Sequence, residues 1–231
     1  MITIRDNVSN MEKIVRRRLP LNVVALFGTR PEAIKLCPLV YELRRHPDEF
    51  KLIVCVTGQH REMLDQVLDF FQIKPDYDLN LMKQNQTLFD ITADGLKSIG
   101  SVLDAEQPDL VIVQGDTTTA FVGALAAFYK QIKIAHIEAG LRTYGKYSPF
   151  PEEINRVLVS HLADYHFAPT ESAKKNLEKE GITKNVWVVG NTVIDALFLG
   201  LSIIKQESDQ KYYDFFKGID FTKKIILVTG H

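Results

Sequence analysis

The amino-acid sequence predicts an α/β protein built on a Rossmann-like, doubly wound parallel sheet. Three observations carry that expectation. Short runs that are apolar throughout recur along the chain, as strands covered on both faces require. Segments with apolar residues at i, i+3 and i+4 alternate with those runs and predict helices. Gly, Thr and acidic residues gather just after the apolar runs, at the strand ends where open α/β sheets collect their ligands.

The first apolar run is Leu21–Phe27, followed by Gly28-Thr29-Arg30-Pro31, which predicts a strand, a turn and a helix opened by Pro31. The second run covers residues 52–56. Beyond it, Met63, Leu64, Val67, Leu68 and Phe71 keep helical spacing, so a helix over residues 59–71 is expected to bury all five. Leu88, Ile91, Ile99 and Leu103 predict another helix. Residues 110–113 and 132–137 read as central strands, Pro151 as the start of a helix, and Tyr165–Ala168 and residues 186–189 as shorter strands. Residues 206–217 mix charge with Tyr212, Tyr213, Phe215 and Phe216 and read as a connection. Residues 225–228, Ile-Ile-Leu-Val ahead of Thr229-Gly230-His231, read as a buried strand opening a new α/β unit. The expected division is therefore an N-terminal extension over 1–20, a complete lobe over 21–205, and a connection with the first strand of a truncated second lobe over 206–231.

The 231 residues are 45% hydrophobic and 25% charged, which suits one sizeable core plus a fragment. The 28 Lys and Arg nearly balance the 29 Asp and Glu, for a net charge of −1, so no global field recruits nucleic acid or an anionic membrane. Cys37 and Cys55 lie in apolar surroundings without metal or redox spacing and are expected to be buried free thiols. With no apolar segment of spanning length, the chain is read as soluble and cytosolic. The stretch through Arg16-Arg17-Arg18 carries positive charge but no apolar h-region ahead of a small-residue cleavage site, and reads as a frayed extension.

The chemistry concentrates after the strands. Arg30, at a helix N-terminus, joins a cation to free backbone N–H groups and suits a phosphate. Arg30 and Lys35 are equally readable as surface charges, one of them pairing with Glu32. Asp116 sits in Gln114-Gly115-Asp116-Thr117-Thr118-Thr119, where it is either an N-cap or a functional carboxylate; three threonines exceed what one cap needs. His136-Ile137-Glu138-Ala139-Gly140 brings a second carboxylate to a strand end. Glu152 and Arg156, at i and i+4, share one helix face as an ion pair or as site residues. Asp116, Glu138 and Glu152 come from one edge of one sheet beside Arg30, a set that can move protons next to an anionic leaving group. His161 and His166 lack carboxylate partners in sequence and read as structural.

In order, FGTRPEAIKLCPLV, CVTGQHREMLDQVLDFF, PDYDLNLM, GDTTT, HIEAGLRT, SPFPEEINR, GNTVIDAL and VTGH resemble the bacterial non-hydrolysing UDP-N-acetylglucosamine 2-epimerases from Leu21 to His231. The resemblance implies the first of two Rossmann-like lobes of the glycosyltransferase-B type, with a stub of the second. It implies interconversion of UDP-N-acetylglucosamine and UDP-N-acetylmannosamine without NAD or metal, by elimination of UDP to a 2-acetamidoglucal and its re-addition. By motif it assigns Asp116, Glu138 and Glu152 to acid/base work and Arg30, Lys35, Arg156 and His231 to the substrate. Gln59, His60 and Arg61 match an allosteric substrate site, though Asn85 stands where some relatives carry a basic residue. A homodimer through the first lobe is implied. The sequence also admits an epimerase of a related UDP-diacetamido sugar, and a non-catalytic truncated lobe. With the second lobe missing, the 231-residue chain alone is expected to be inactive.

Overall fold

The computed structural model describes residues 20–58, 61–81, 85–206 and 210–228. Seven strands form one sheet: β1 (Leu21–Phe27), β2 (Phe50–Val56), β3 (Tyr77–Asp78), β4 (Leu110–Gln114), β5 (Lys133–Ile137), β6 (Tyr165–Ala168) and β7 (Val186–Val188). Their order is β3-β2-β1-β4-β5-β6-β7 and every pairing is parallel. The chain winds outward from β1 in one direction, then from β4 in the other. Neighbouring β1 and β4 (Ala25 opposite Ile112) therefore form the switch point, with a crevice beyond their carboxyl ends.

Alternation along β1 builds the two cores, since successive side chains point to opposite faces. Leu21, Val23, Ala25 and Phe27 pack with α1 (Arg30–Arg44), α2 (Arg61–Phe70) and Ala196 of α7 (Val193–Gln206). Val24 and Leu26 face α3 (Leu88–Glu106), α4 (Thr118–Tyr129) and Val159 of α5 (Glu152–Leu162). A shorter helix, α6 (Glu171–Lys179), follows β6, capped by the Thr170 hydroxyl. Cys37 and Cys55 are buried and free, and burial pushes both thiols up to about 12, so neither is a reactive thiolate.

The structure departs from the sequence expectations at several edges. β2 starts at Phe50, because Phe50 is a buried partner of Leu21. β3 is only two residues long and left no apolar run to read. Met63 is 42% exposed, so α2 buries Leu64, Val67 and Leu68 without it, and Leu88 is 40% exposed in the first turn of α3. Residues expected in the connection instead form helix: α7 continues to Gln206, and α8 covers Gln210–Phe215. Residues 225–228 form no strand, and Ile226, Leu227 and Val228 are each at least 84% exposed, because no strand among the described residues accepts them. Among the described residues no helix is long and apolar enough to cross a membrane.

Candidate active site at the switch point

The turn after β1 is shaped by a close approach. A Cβ on Gly28 would lie 2.0 Å from Thr57 Oγ1 and 2.6 Å from Thr119 Oγ1, so only glycine fits. Thr29 is the N-cap residue of α1, and Arg30 is the helix's first residue. Arg30 is exposed and makes no hydrogen bond or ion pair among the described residues. Glu32 is buried under this turn and does not pair with Arg30 or Lys35; its Oε2 accepts from the N–H groups of Gly28 (3.0 Å) and Thr29 (2.7 Å). Lys35, further along α1, reaches across to the turn after β5.

After β4 the chain turns through Gly115 at φ +68°, and Thr117 is the residue that caps α4, its hydroxyl accepting from Ala120 N at 3.0 Å. Asp116 is thus free of capping. Its carboxylate pairs with Arg156, and Asn155 Nδ2 donates to its backbone carbonyl at 2.9 Å. Burial pushes the Asp116 pKa up, Arg156 opposes this, and the nearby negative charges of Glu138 and Glu152 add to the rise. Asp116 therefore lies within the field of the other two carboxylates.

Glu138 stands just past β5 at φ +66°, a left-handed conformation that a non-glycine residue holds only when its surroundings dictate it. Four hydrogen bonds do so. Lys35 Nζ donates to both oxygens (2.8 and 2.6 Å), Gln114 Nε2 to Oε2 (2.7 Å) and Asn191 Nδ2 to Oε1 (2.8 Å). Two residues earlier, within β5, His136 is fully buried and donates from Nε2 to the Gly115 carbonyl at 2.7 Å, bracing the turn that carries Asp116. Burial pushes its pKa down to about 3, which keeps the ring neutral.

Glu152 and Arg156 share a face of α5 but do not pair with each other. Arg156 turns to Asp116 and, at 3.3 Å, to Glu153. Glu153 is 3% exposed and also accepts from the N–H groups of Thr143 and Tyr144, which ties the loop after β5 to α5. Burial works to raise its pKa, but these donors and Arg156 outweigh it and the pKa ends lowered. Two buried polar atoms at this face, Glu152 Oε2 and Arg156 Nε, have no hydrogen-bond partner among the described residues. A buried orphan is costly unless something supplies its partner, so these two atoms are open to a polar group or a water.

Of the residues singled out in the sequence, Asp116, Glu138, Glu152, Arg156 and Lys35 come together here. Arg30 lies at the lip of the same edge without touching them. Gln59, His60 and His231 lie outside the described residues, as does the side chain of Arg61, the first residue of α2. His161 is in the last turn of α5, and His166 is buried in β6 with its pKa pushed down to about 4 by burial, so both sit away from the carboxylates. The sequence reading missed Gln114, Asn191 and Glu153. It also passed over the Thr29-Arg30-Pro31-Glu32 spacing, a capping-box signature that points to a buried or capping Glu32. Among the described residues no group of three or more His, Cys, Asp or Glu could hold a metal ion. The constellation can accept or release a proton beside fixed cations.

Comparison with known proteins agrees with this geometry. Residues 41–231 match the family model described as UDP-N-acetylglucosamine 2-epimerase. The chain is 53% identical over 213 residues to the UDP-N-acetylglucosamine 2-epimerase of Neisseria meningitidis, covering 91% of this chain and 57% of that protein. The crystal structure of UDP-GlcNAc 2-epimerase from Neisseria meningitidis bound to UDP-GlcNAc superposes with a TM-score of 0.83 at 52% identity, over 88% of this chain and 55% of that one. Acinetobacter baumannii MurG, 14% identical with a TM-score of 0.53, shares the fold alone. The described sheet is thus the Rossmann-like α/β lobe of the glycosyltransferase-B type that the sequence predicts, and the chain spans about half the length of the curated relatives it matches. By its family match and its identity to these relatives, the chain belongs to the UDP-N-acetylglucosamine 2-epimerase family.

Proposed function

We propose that this chain supplies the acid/base lobe of a non-hydrolysing UDP-N-acetylglucosamine 2-epimerase, with residues 21–205 as the lobe and 206–231 leading towards a second, uridine-binding part. The observation that carries the proposal is the meeting of Asp116, Glu138 and Glu152 with Lys35 and Arg156 at the switch point. Abstraction of the C2 proton by a carboxylate sends the C–H electron pair into a C1–C2 double bond, while the C1–O bond breaks and UDP leaves with its pair. Re-addition of UDP at C1 and of a proton on the opposite face of C2 gives UDP-N-acetylmannosamine. Because the C2 hydrogen is weakly acidic, base and leaving-group stabilisation must act together.

In this reading the tasks divide among the residues. Glu152 offers a buried carboxylate oxygen with no partner and suits proton exchange with C2. Asp116, its pKa raised, suits the second proton transfer. Glu138 is saturated by donors and serves as a fixed negative charge that holds Lys35 in place. Arg156, with Nε unpartnered, and exposed Arg30 suit the diphosphate, joined in this proposal by His231. Gln59, His60 and Arg61 are assigned to an effector nucleotide sugar, the assembly to a homodimer through this lobe, and the setting to the cytoplasm.

The test is to incubate a polypeptide of the relatives' full length that begins with this sequence with UDP-N-acetylglucosamine in deuterated water. Formation of UDP-N-acetylmannosamine with deuterium at C2 is expected; epimerisation that keeps the original hydrogen would overturn the mechanism, and no epimerisation the function. Arg61→Ala should alter cooperativity and keep basal turnover.

A further inference from the structure

Glu32 takes no part in the chemistry above, yet it is one of the most deeply buried charged side chains described, 1% exposed. Its Oε2 closes the start of α1 by accepting from Gly28 N and Thr29 N. A local cap gives no reason to bury a carboxylate, because an exposed glutamate caps as well, whereas burial costs desolvation and pushes this carboxyl's pKa up. The second oxygen supplies the reason. Glu32 Oε1 accepts a 2.6 Å hydrogen bond from the hydroxyl of Thr117, 85 residues away.

Thr117 is the residue after Asp116 and the N-cap of α4. Its single hydroxyl proton goes to Glu32, which leaves the oxygen's lone pairs free to accept from Ala120 N. One carboxylate therefore holds the peptide N–H groups that flank the Arg30 turn and, through one proton, sets the cap beside Asp116. The two turns leave adjacent strands at the switch point.

We infer that Glu32 is a positioning residue that clamps the turn after β1 to the turn after β4, fixing Asp116 relative to Arg30 and Lys35. The structural clamp stands on geometry alone; its catalytic consequence rests on the epimerase reading.

Amide hydrogen exchange on the 231-residue chain tests the clamp, using Glu32→Gln, Thr117→Val and Thr117→Ser. Thr117→Val should speed exchange at Gly28 and Thr29, across the gap from the substitution, by about 2- to 10-fold, the range one net hydrogen bond gives. Glu32→Gln should do the same at Ala120, and Thr117→Ser, which keeps the hydroxyl, should behave as the parent. Changes confined to the substituted turn would mean a local cap and overturn the clamp. If Glu32→Gln does not fold, Thr117→Val decides the matter. In a polypeptide of the relatives' length, Thr117→Val should lower kcat by roughly 10- to 100-fold with little change in KM, the scale of a small misplacement, and Thr117→Ser should restore it. An unchanged kcat alongside coupled exchange would overturn the catalytic consequence; a parent without epimerase activity would overturn the epimerase reading and leave the exchange result intact.

Discussion

Lys35 and Glu138 are 103 residues apart in sequence, yet Lys35 Nζ lies 2.8 and 2.6 Å from the two carboxylate oxygens of Glu138. The pair joins α1 to the turn after β5, with side chains 22% and 12% exposed. Lys35→Met is expected to lower the stability of the chain by about 1–3 kcal/mol, less than for a fully buried pair because both groups keep some solvent. The double variant Lys35→Met with Glu138→Gln should be less damaging than the two single losses added together. Urea unfolding of the four proteins measures this, and strict additivity would mean the contact carries no coupling.

For catalysis, Asp116→Asn and Glu152→Gln should each reduce turnover by roughly 10²–10⁴ in a polypeptide of the relatives' length, the usual range for a positioned acid or base, and Glu138→Gln, which loses the charge that holds Lys35, should reduce it as well. A variant with parental turnover would remove its residue from the mechanism.

The ion pair with Arg156 gives a signed pH prediction. Burial raises the Asp116 pKa and Arg156 opposes the rise. Arg156→Met removes the opposition, so Asp116 should hold its proton to higher pH. An acid must hold its proton to act, and the alkaline limb of the kcat profile should therefore move upward in pH. A limb that moves downward would take Asp116 out of the acid role.

Three glycines separate backbone strain from crowding. Gly140 has φ +86° and an added Cβ would lie 2.2 Å from the Ala173 carbonyl oxygen; Gly181 has φ +81° and open space; Gly100 lies within α3, also open. Gly140→Ala should destabilise by about 2–4 kcal/mol, Gly181→Ala by about 1, and Gly100→Ala should stabilise by about 0.5–1. The order of melting temperatures checks all three, and a Gly181 variant as damaged as the Gly140 one would contradict the crowding argument.

Acid should weaken the fold through its buried histidines. His136 and His166 are pushed down to about 3 and about 4, while in the unfolded chain they titrate near 6.5. The unfolded state then binds more protons between those values. Stability present above pH 6.5 is lost as pH falls, at up to about 1.4 kcal/mol per pH unit for each histidine. His136→Asn should flatten that slope in unfolding experiments between pH 6.5 and 4; an unchanged slope would assign the acid sensitivity elsewhere.

What the sequence determined by itself was the architecture and the sheet edge that carries the chemistry. Short continuous apolar runs that alternate with helical segments fit strands covered on both faces, and in a parallel sheet the loops that follow them emerge at one edge, so Asp116 and Glu138 could be placed together from local pattern alone. Local pattern does not say which way a side chain turns or what it meets. Arg156, four residues after Glu152, is readable from the sequence as its ion-pair partner or as a site residue, and tertiary packing turns it instead to Asp116 and Glu153. Arg142, in the same run as Glu138, has a buried side chain paired with Glu180. Asn191 and Gln114 acquired their role only when β4, β5 and the start of α7 converged on Glu138. Residues 225–228 show the converse. Their apolar β-rich pattern specified a strand, yet a strand exists only where another strand satisfies its backbone, and that partner is a property of the tertiary structure.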